Sequence, residues 1–227
     1  MLAGNECNAS AVPAPSTLAE ERPVGIPYED HFLTGSLAAP KSPRGIVVIA
    51  NARGYARHVP ALLALARELR SGGFATLMVD VVAPDEERIA ARPDLIAGRL
   101  DAARTWLEGS GLTGLPLVLL GMGTAAAAAL LSAAAKPARV RAVVACGPRP
   151  DTAGIALRMV SAPALLIAHT GQFSDINAHL RTLARLEVQR DLIVLQDSGD
   201  PVDGAVDVAR ATLRFLDFLG SSASKAA

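Results

Sequence analysis

The chain is short of most features that would place it in a special environment. Aromatics are only 4% of its 227 residues although hydrophobic residues reach 51%, so the core has to be filled by alanine, leucine and valine. There are two cysteines, Cys7 near the N-terminus and Cys146 in an apolar run; they do not make the disulfide framework of a small secreted domain. Neither charge is in excess, with Lys+Arg 22 against Asp+Glu 22, which removes any global electrostatic case for nucleic acid or an anionic membrane as partner. No apolar run reaches the length of a bilayer span. The first residues lack the basic and continuous apolar regions of a secretory signal, so a cytoplasmic location is the expectation. No Gly-rich phosphate loop occurs, and the His, Cys and acidic residues are not spaced as metal ligands; neither a cofactor nor a metal is predicted.

What is present is alternation. Residues 1–20 are rich in Ala, Pro, Ser and Asn and read as a tail without fixed structure. Two short extended segments at 24–28 and 32–37 read as an edge hairpin. Apolar runs at 45–50, 74–81, 117–120, 140–146, 162–168 and 192–195 then alternate with helical patterns at 60–70, 95–108, 125–131, 176–186 and 203–219. Residues 220–227 read as a second, flexible tail. This order predicts a single α/β domain over 21–219, with a mostly parallel sheet covered by helices on both faces and no cap domain. Ligands of such sheets bind outside the carboxyl ends of the strands. The loops at 51–58, 122–124, 146–151, 169–175 and 196–203 are therefore predicted to share one crevice.

The most informative stretch is Leu117-Val118-Leu119-Leu120-Gly121-Met122-Gly123-Thr124-Ala125 and the alanine run after it. A buried strand turns through small residues into a strong helix former. The turn has the spacing of the G-x-S-x-G nucleophile elbow, in which the central Ser stands exposed above the sheet. Its central position here is Gly123. That position is strained for residues other than glycine by roughly 1–3 kcal/mol, so glycine relieves the strain and removes the attacking atom together.

On these residues the chain, from 21 to 219, resembles the dienelactone-hydrolase-like branch of the α/β-hydrolases. Gly121-Met122-Gly123-Thr124-Ala125-Ala126-Ala127-Ala128-Ala129-Leu130 is similar to that branch's G-A-S-T-G-A-A-A-A-L. The segment from Ile49 to His58 is similar to its A-H-G-x-G-x-x-R-H loop, with Asn51 replacing the first His. Residues 79–87 are similar to F-D-x-L-T-P-E-E-E. The resemblance implies an α/β-hydrolase fold and a Ser-acid-His triad, and the triad does not carry over. Gly123 stands for the Ser; the acid position falls near Gln172, with Asp175 three residues on; and the loop 196–203, where the His belongs, has none. No His follows His179. The resemblance further implies an oxyanion pocket formed by backbone N–H groups of Thr124 and of a residue near Ala52, flanked by Asn51, Arg53 and Met122.

Two functions follow as expectations. The first is a non-catalytic homologue, a pseudoenzyme, that binds a small anionic or ester-like ligand or a protein partner through the vestigial crevice. The second is a hydrolase of small esters or lactones with a non-standard nucleophile, Cys146 activated by His169, since each ends a strand and those strands are neighbours in the family topology. Against the second, a buried Cys is usually an apolar filler. A third reading, an assembling subunit such as a homo-oligomer, would show as an exposed apolar patch on an edge strand or on the last helix.

Overall fold

The computed structural model describes residues 21–52, 58–83, 86–170 and 173–225; the expected tail 1–20 lies outside them. The chain opens with an antiparallel hairpin, β1 (Arg22–Tyr28) and β2 (His31–Ala38). Then follow β3 (Ile46–Asn51), α1 (Pro60–Ser71), β4 (Ala75–Asp80), the short α2 (Glu87–Ala90) and α3 (Pro93–Leu107). The second half holds β5 (Leu117–Met122), α4 (Ala125–Ala135), β6 (Val140–Cys146), a 3₁₀ segment at Pro150–Met159, β7 (Ala164–His169), α5 (Phe173–Arg185), β8 (Arg190–Leu195) and α6 (Pro201–Lys225). The eight strands form one sheet in the order β1-β2-β4-β3-β5-β6-β7-β8. All neighbours from β4 to β8 are parallel, and β2 joins β4 antiparallel.

Strand alternation sorts the core into two layers. Val48 and Ala50 of β3 face the layer shared with α3 and α4, whereas Val47 and Ile49 face the layer that includes apolar residues of α1 and α6. β3 is buried along its whole length, as a parallel strand covered on both faces must be. Helix α4 is nearly all alanine, and Ala125 to Ala129 are buried on every side. Small side chains let its backbone lie close to the sheet, where a larger residue would force a gap.

Several elements depart from the sequence reading, among them the short α2, which it did not contain. The 3₁₀ segment at Pro150–Met159 starts in the loop read at 146–151 and runs through residues to which the sequence reading gave no element, with a kink at Gly154. Strand β8 begins at Arg190, two residues earlier than its apolar run. Helix α6 continues to Lys225, through the region read as a tail from 220; once a helix is nucleated, each further turn costs little. Among the described residues no cap domain lies over the sheet, and no helix is long and apolar enough to cross a membrane.

The loop after β4 is held by an ion pair. Arg99 of α3 donates from Nη1 and Nη2 to Glu86 at 2.5 and 2.6 Å and from Nη1 to the Val81 carbonyl at 3.0 Å. The hydrogen bonds from Arg99 lower the Glu86 carboxyl from its ordinary 4.5 to about 2. A depressed acid stabilises the fold above its unfolded value and loses that contribution as pH falls towards its folded value. The shift taken at face value is worth about 3 kcal/mol; solvent at the open side of Glu86 reduces this to about 1–2 kcal/mol. Urea unfolding is therefore expected to show that loss between pH 4.5 and about 2, and Glu86→Gln is expected to flatten this part of the profile.

Candidate functional site

The turn from β5 into α4 has the backbone shape of the elbow, with glycine at its central position. Gly123 has φ of 62°, the left-handed region that glycine adopts without penalty. Its N–H donates to the Cys146 carbonyl at 2.8 Å, and its own carbonyl accepts from Ala126 N–H at 3.1 Å. Two glycines make this close approach feasible. A Cβ built on Gly121 would lie 2.5 Å from the Ala125 carbonyl carbon and 2.8 Å from Ala126 Cα. A Cβ on Gly147 would lie 2.8 Å from the Gly123 carbonyl carbon and 2.9 Å from its Cα. Gly123 is different, because among the described residues a Cβ there meets nothing within 4 Å. The backbone retains the shape of an elbow.

Thr124 precedes α4 with helical backbone angles, φ of −65° and ψ of −26°, and its hydroxyl makes no capping bond. Among the described residues no backbone carbonyl accepts the Thr124 N–H. That donor sits at the positive end of an 11-residue helix. Asn51 and Met122 end neighbouring strands in register, and Met122 is in register with Cys146. Ala52, next along from Asn51, is buried. Arg53, Tyr55 and Arg57 lie outside the described residues, as does Gln172 at the acid position; Asp175 is placed only as part of the α5 backbone.

Cys146 and His169 are side by side, with Sγ 3.7 Å from Nε2. Cys146 is 3% exposed, and burial pushes its thiol up to about 12. Thiolate is the nucleophilic form, so at neutral pH this cysteine is held in the unreactive one.

His169 and Met122 line a cleft of about 270 Å³ with Asp197, Ser198 and Asp200 of the β8–α6 loop. The two carboxylates turn back on their own loop: Asp197 Oδ1 accepts from Gly199 N–H at 3.1 Å and Asp200 Oδ1 from Val202 N–H at 2.7 Å. Asp197 N–H donates to Thr170 Oγ1 at 3.2 Å, tying this loop to the end of β7. Sequence reasoning placed these loops in one crevice but did not single out Gly147, whose Gly-Pro context reads as an ordinary turn, nor Ser198. A larger cavity of about 490 Å³ lies at the opposite, amino-terminal ends of β3 and β5, by Ile46 and Leu117. Its basic residues are engaged: Arg104 donates to the Ser132 and Lys136 carbonyls at 2.8 and 2.6 Å, Lys136 Nζ lies 4.0 Å from Asp101, and Arg139 pairs with Glu108 at 2.8 Å. The elbow, rather than cavity size, marks the site. Among the described residues no group of three or more His, Cys, Asp or Glu is gathered for a metal.

This architecture is that of an α/β-hydrolase, and comparison with known proteins narrows it. The chain is similar to the crystal structure of a dienelactone hydrolase from Anabaena variabilis, with 31% identity over 86% of this chain and 96% of that one, and a TM-score of 0.77. An esterase from an Arctic intertidal metagenomic library superposes with a TM-score of 0.71 over 94% of this chain and 98% of its own, but at 15% identity it shows the fold alone. No protein-family model matches. A curated Mycobacterium tuberculosis protein with the provisional name phosphoribosyl transferase is 44% identical over 139 residues, 60% of this chain. The chain spans only about a third of that relative's length, 31%, so the name describes a considerably longer protein. On the identity and coverage of the Anabaena enzyme, the chain belongs to the dienelactone-hydrolase family.

Proposed function

We propose that this family member is a non-catalytic binding protein that holds a small anionic or ester-like ligand at its elbow. The observation that supports this most is the state of Gly123: the close-packed elbow persists around a position with no side chain. Ester hydrolysis on this fold needs a nucleophile and a base to activate it. Gly123 supplies neither atom nor proton, and the 196–203 loop has no His. The donor at Thr124 remains available to an oxygen of a ligand. A protein partner that inserts a carbonyl or carboxylate into the same crevice would use the same donor.

The second reading, Cys146 with His169 as nucleophile and base, is favoured by their 3.7 Å separation and opposed by the burial of the thiol. The two readings part on covalent chemistry. After incubation with p-nitrophenyl acetate, the intact mass of the protein is expected to show no acetyl group on Cys146 or Thr124. An acetyl adduct on Cys146, removed by Cys146→Ala, would replace the first reading with the second.

A further inference from the structure

The larger cavity, at the amino-terminal ends of the strands, is divided by polarity. Its floor is apolar. Ile46 and Leu117 at the starts of β3 and β5 and Leu107 at the end of α3 are buried, and Leu112 and Leu115 of the loop before β5 are half-buried. Its mouth is polar, with Glu108, Lys136 and Arg139 all exposed. Apolar walls with a few convergent polar groups are the usual make-up of a ligand site, and about 490 Å³ lies within the roughly 300–1,000 Å³ of such sites.

The mouth is held in place by a buried cation. Arg104, on the cavity wall and 8% exposed, donates from Nη1 to the Ser132 carbonyl at 2.8 Å and from Nη2 to the Lys136 and Ala138 carbonyls at 2.6 and 3.3 Å. The first two of these carbonyls stand at the end of α4, where no helical N–H reaches them. The guanidinium therefore offsets the negative end of that helix and fixes the segment 136–139 that carries the two cations of the mouth. The end of α3 is closed in a similar way, by the Ser110 and Thr113 hydroxyls, which donate to the Leu107 and Glu108 carbonyls at 2.8 and 2.5 Å. Within the fixed segment Arg139 has φ of 76°, a left-handed conformation that is unfavourable for a residue with a Cβ and persists only where the surroundings impose it.

The two cations at the mouth are loosely engaged. Lys136 Nζ lies 4.0 Å from Asp101, beyond hydrogen-bond reach. Asp101 is itself turned to Ser132, whose Oγ donates to it at 2.6 Å. Arg139 Nη1 donates to Glu108 at 2.8 Å, in a pair whose members are both exposed; such pairs exchange partners at little cost. Of the charged residues that line the cavity, Glu108 is the one acid among Arg104, Lys136 and Arg139.

We propose that this cavity binds an amphipathic anion, a small molecule with an apolar chain and a carboxylate, whose chain covers Leu107, Leu112 and Leu115 and whose carboxylate is received by Lys136 and Arg139. Bonds from these side chains to a carboxylate are charge-assisted, and the apolar floor gives a purely polar anion nothing to cover. The site lies at the end of the sheet away from the elbow and is independent of what the elbow binds.

The test is calorimetric titration of the full chain with decanoate, with decyltrimethylammonium, a ten-carbon chain of opposite charge, and with acetate, the head without the chain. Decanoate is expected to bind roughly tenfold or more tightly than either. Removing both charges with Lys136→Gln and Arg139→Asn is expected to weaken decanoate roughly tenfold or more; both side chains are exposed, and asparagine tolerates the left-handed backbone at 139. Arg92→Gln with Arg210→Gln makes the same change in net charge at exposed positions outside the cavity and is expected to bind decanoate as the wild type does. Decyltrimethylammonium or acetate binding as tight as decanoate, or an equal loss in the control pair, would overturn the inference. So would decanoate binding unchanged by the Lys136 and Arg139 substitutions, which would place the acid elsewhere, or no decanoate binding at millimolar concentration.

Discussion

Replacing Gly121 by alanine is expected to destabilise the protein by roughly 3 kcal/mol or more, enough to remove a large share of a typical domain's stability. The new Cβ would fall 2.5 Å from the Ala125 carbonyl carbon and closer still to its oxygen. Both are backbone atoms of the first turn of α4, so no side-chain rotation relieves the clash; β5 or α4 has to move. Gly123→Ala is the informative comparison. Among the described residues its Cβ meets nothing, and its cost there is that of the left-handed backbone, about 1–2 kcal/mol. Urea unfolding of the two variants should rank them in that order. Equal stability would mean that strand and helix do not approach as closely as the elbow requires.

The second large effect is a gain. Gly123→Ser alone is expected to leave ester hydrolysis at background, because a serine hydroxyl without a base is a weak nucleophile. Adding Ser198→His places an imidazole in the loop where the family carries its catalytic histidine, on the wall of the cleft that also holds Met122. The double variant is expected to hydrolyse p-nitrophenyl butyrate roughly 10²–10³ times faster than either single variant, the scale of a positioned general base. Turnover by Gly123→Ser alone would show that His169 already serves as base, and that the chain lacks only its nucleophile.

The elbow was legible in the sequence because its requirements are local. An apolar strand, glycines where backbones touch, and a run of alanine each follow from sterics at fixed spacing, and the structure places Gly121, Gly123 and α4 accordingly. The parallel strands were legible for the same reason, since strands buried on both faces are apolar throughout. β8 was only half visible: Arg190 and Asp191 are exposed on an edge strand, where polar residues blunt the edge and hide it from a hydrophobic pattern. Gly147 was not legible as part of the site. Its partner is the Gly123 carbonyl, 24 residues earlier in the sequence, and no local pattern announces a contact made by β5 and β6 lying side by side. The pairing of Cys146 with His169 followed from topology, but the burial that holds the thiol protonated depends on the core layer in which Cys146 sits with residues of other strands and of α6, which the sequence of β6 does not contain. Single exposed apolar residues occur on β8 and α6, Val194 and Phe218; scattered singly, such residues are ordinary at protein surfaces.

As a non-catalytic binding protein, the function proposed above, this hydrolase scaffold would carry no hydrolytic chemistry. Steady-state hydrolysis of p-nitrophenyl butyrate by purified wild type and by Cys146→Ala, side by side with serum albumin, tests it most directly. The account predicts that both proteins stay at the albumin background. Turnover by the wild type that disappears in Cys146→Ala would contradict it and make the Cys146–His169 pair the active site.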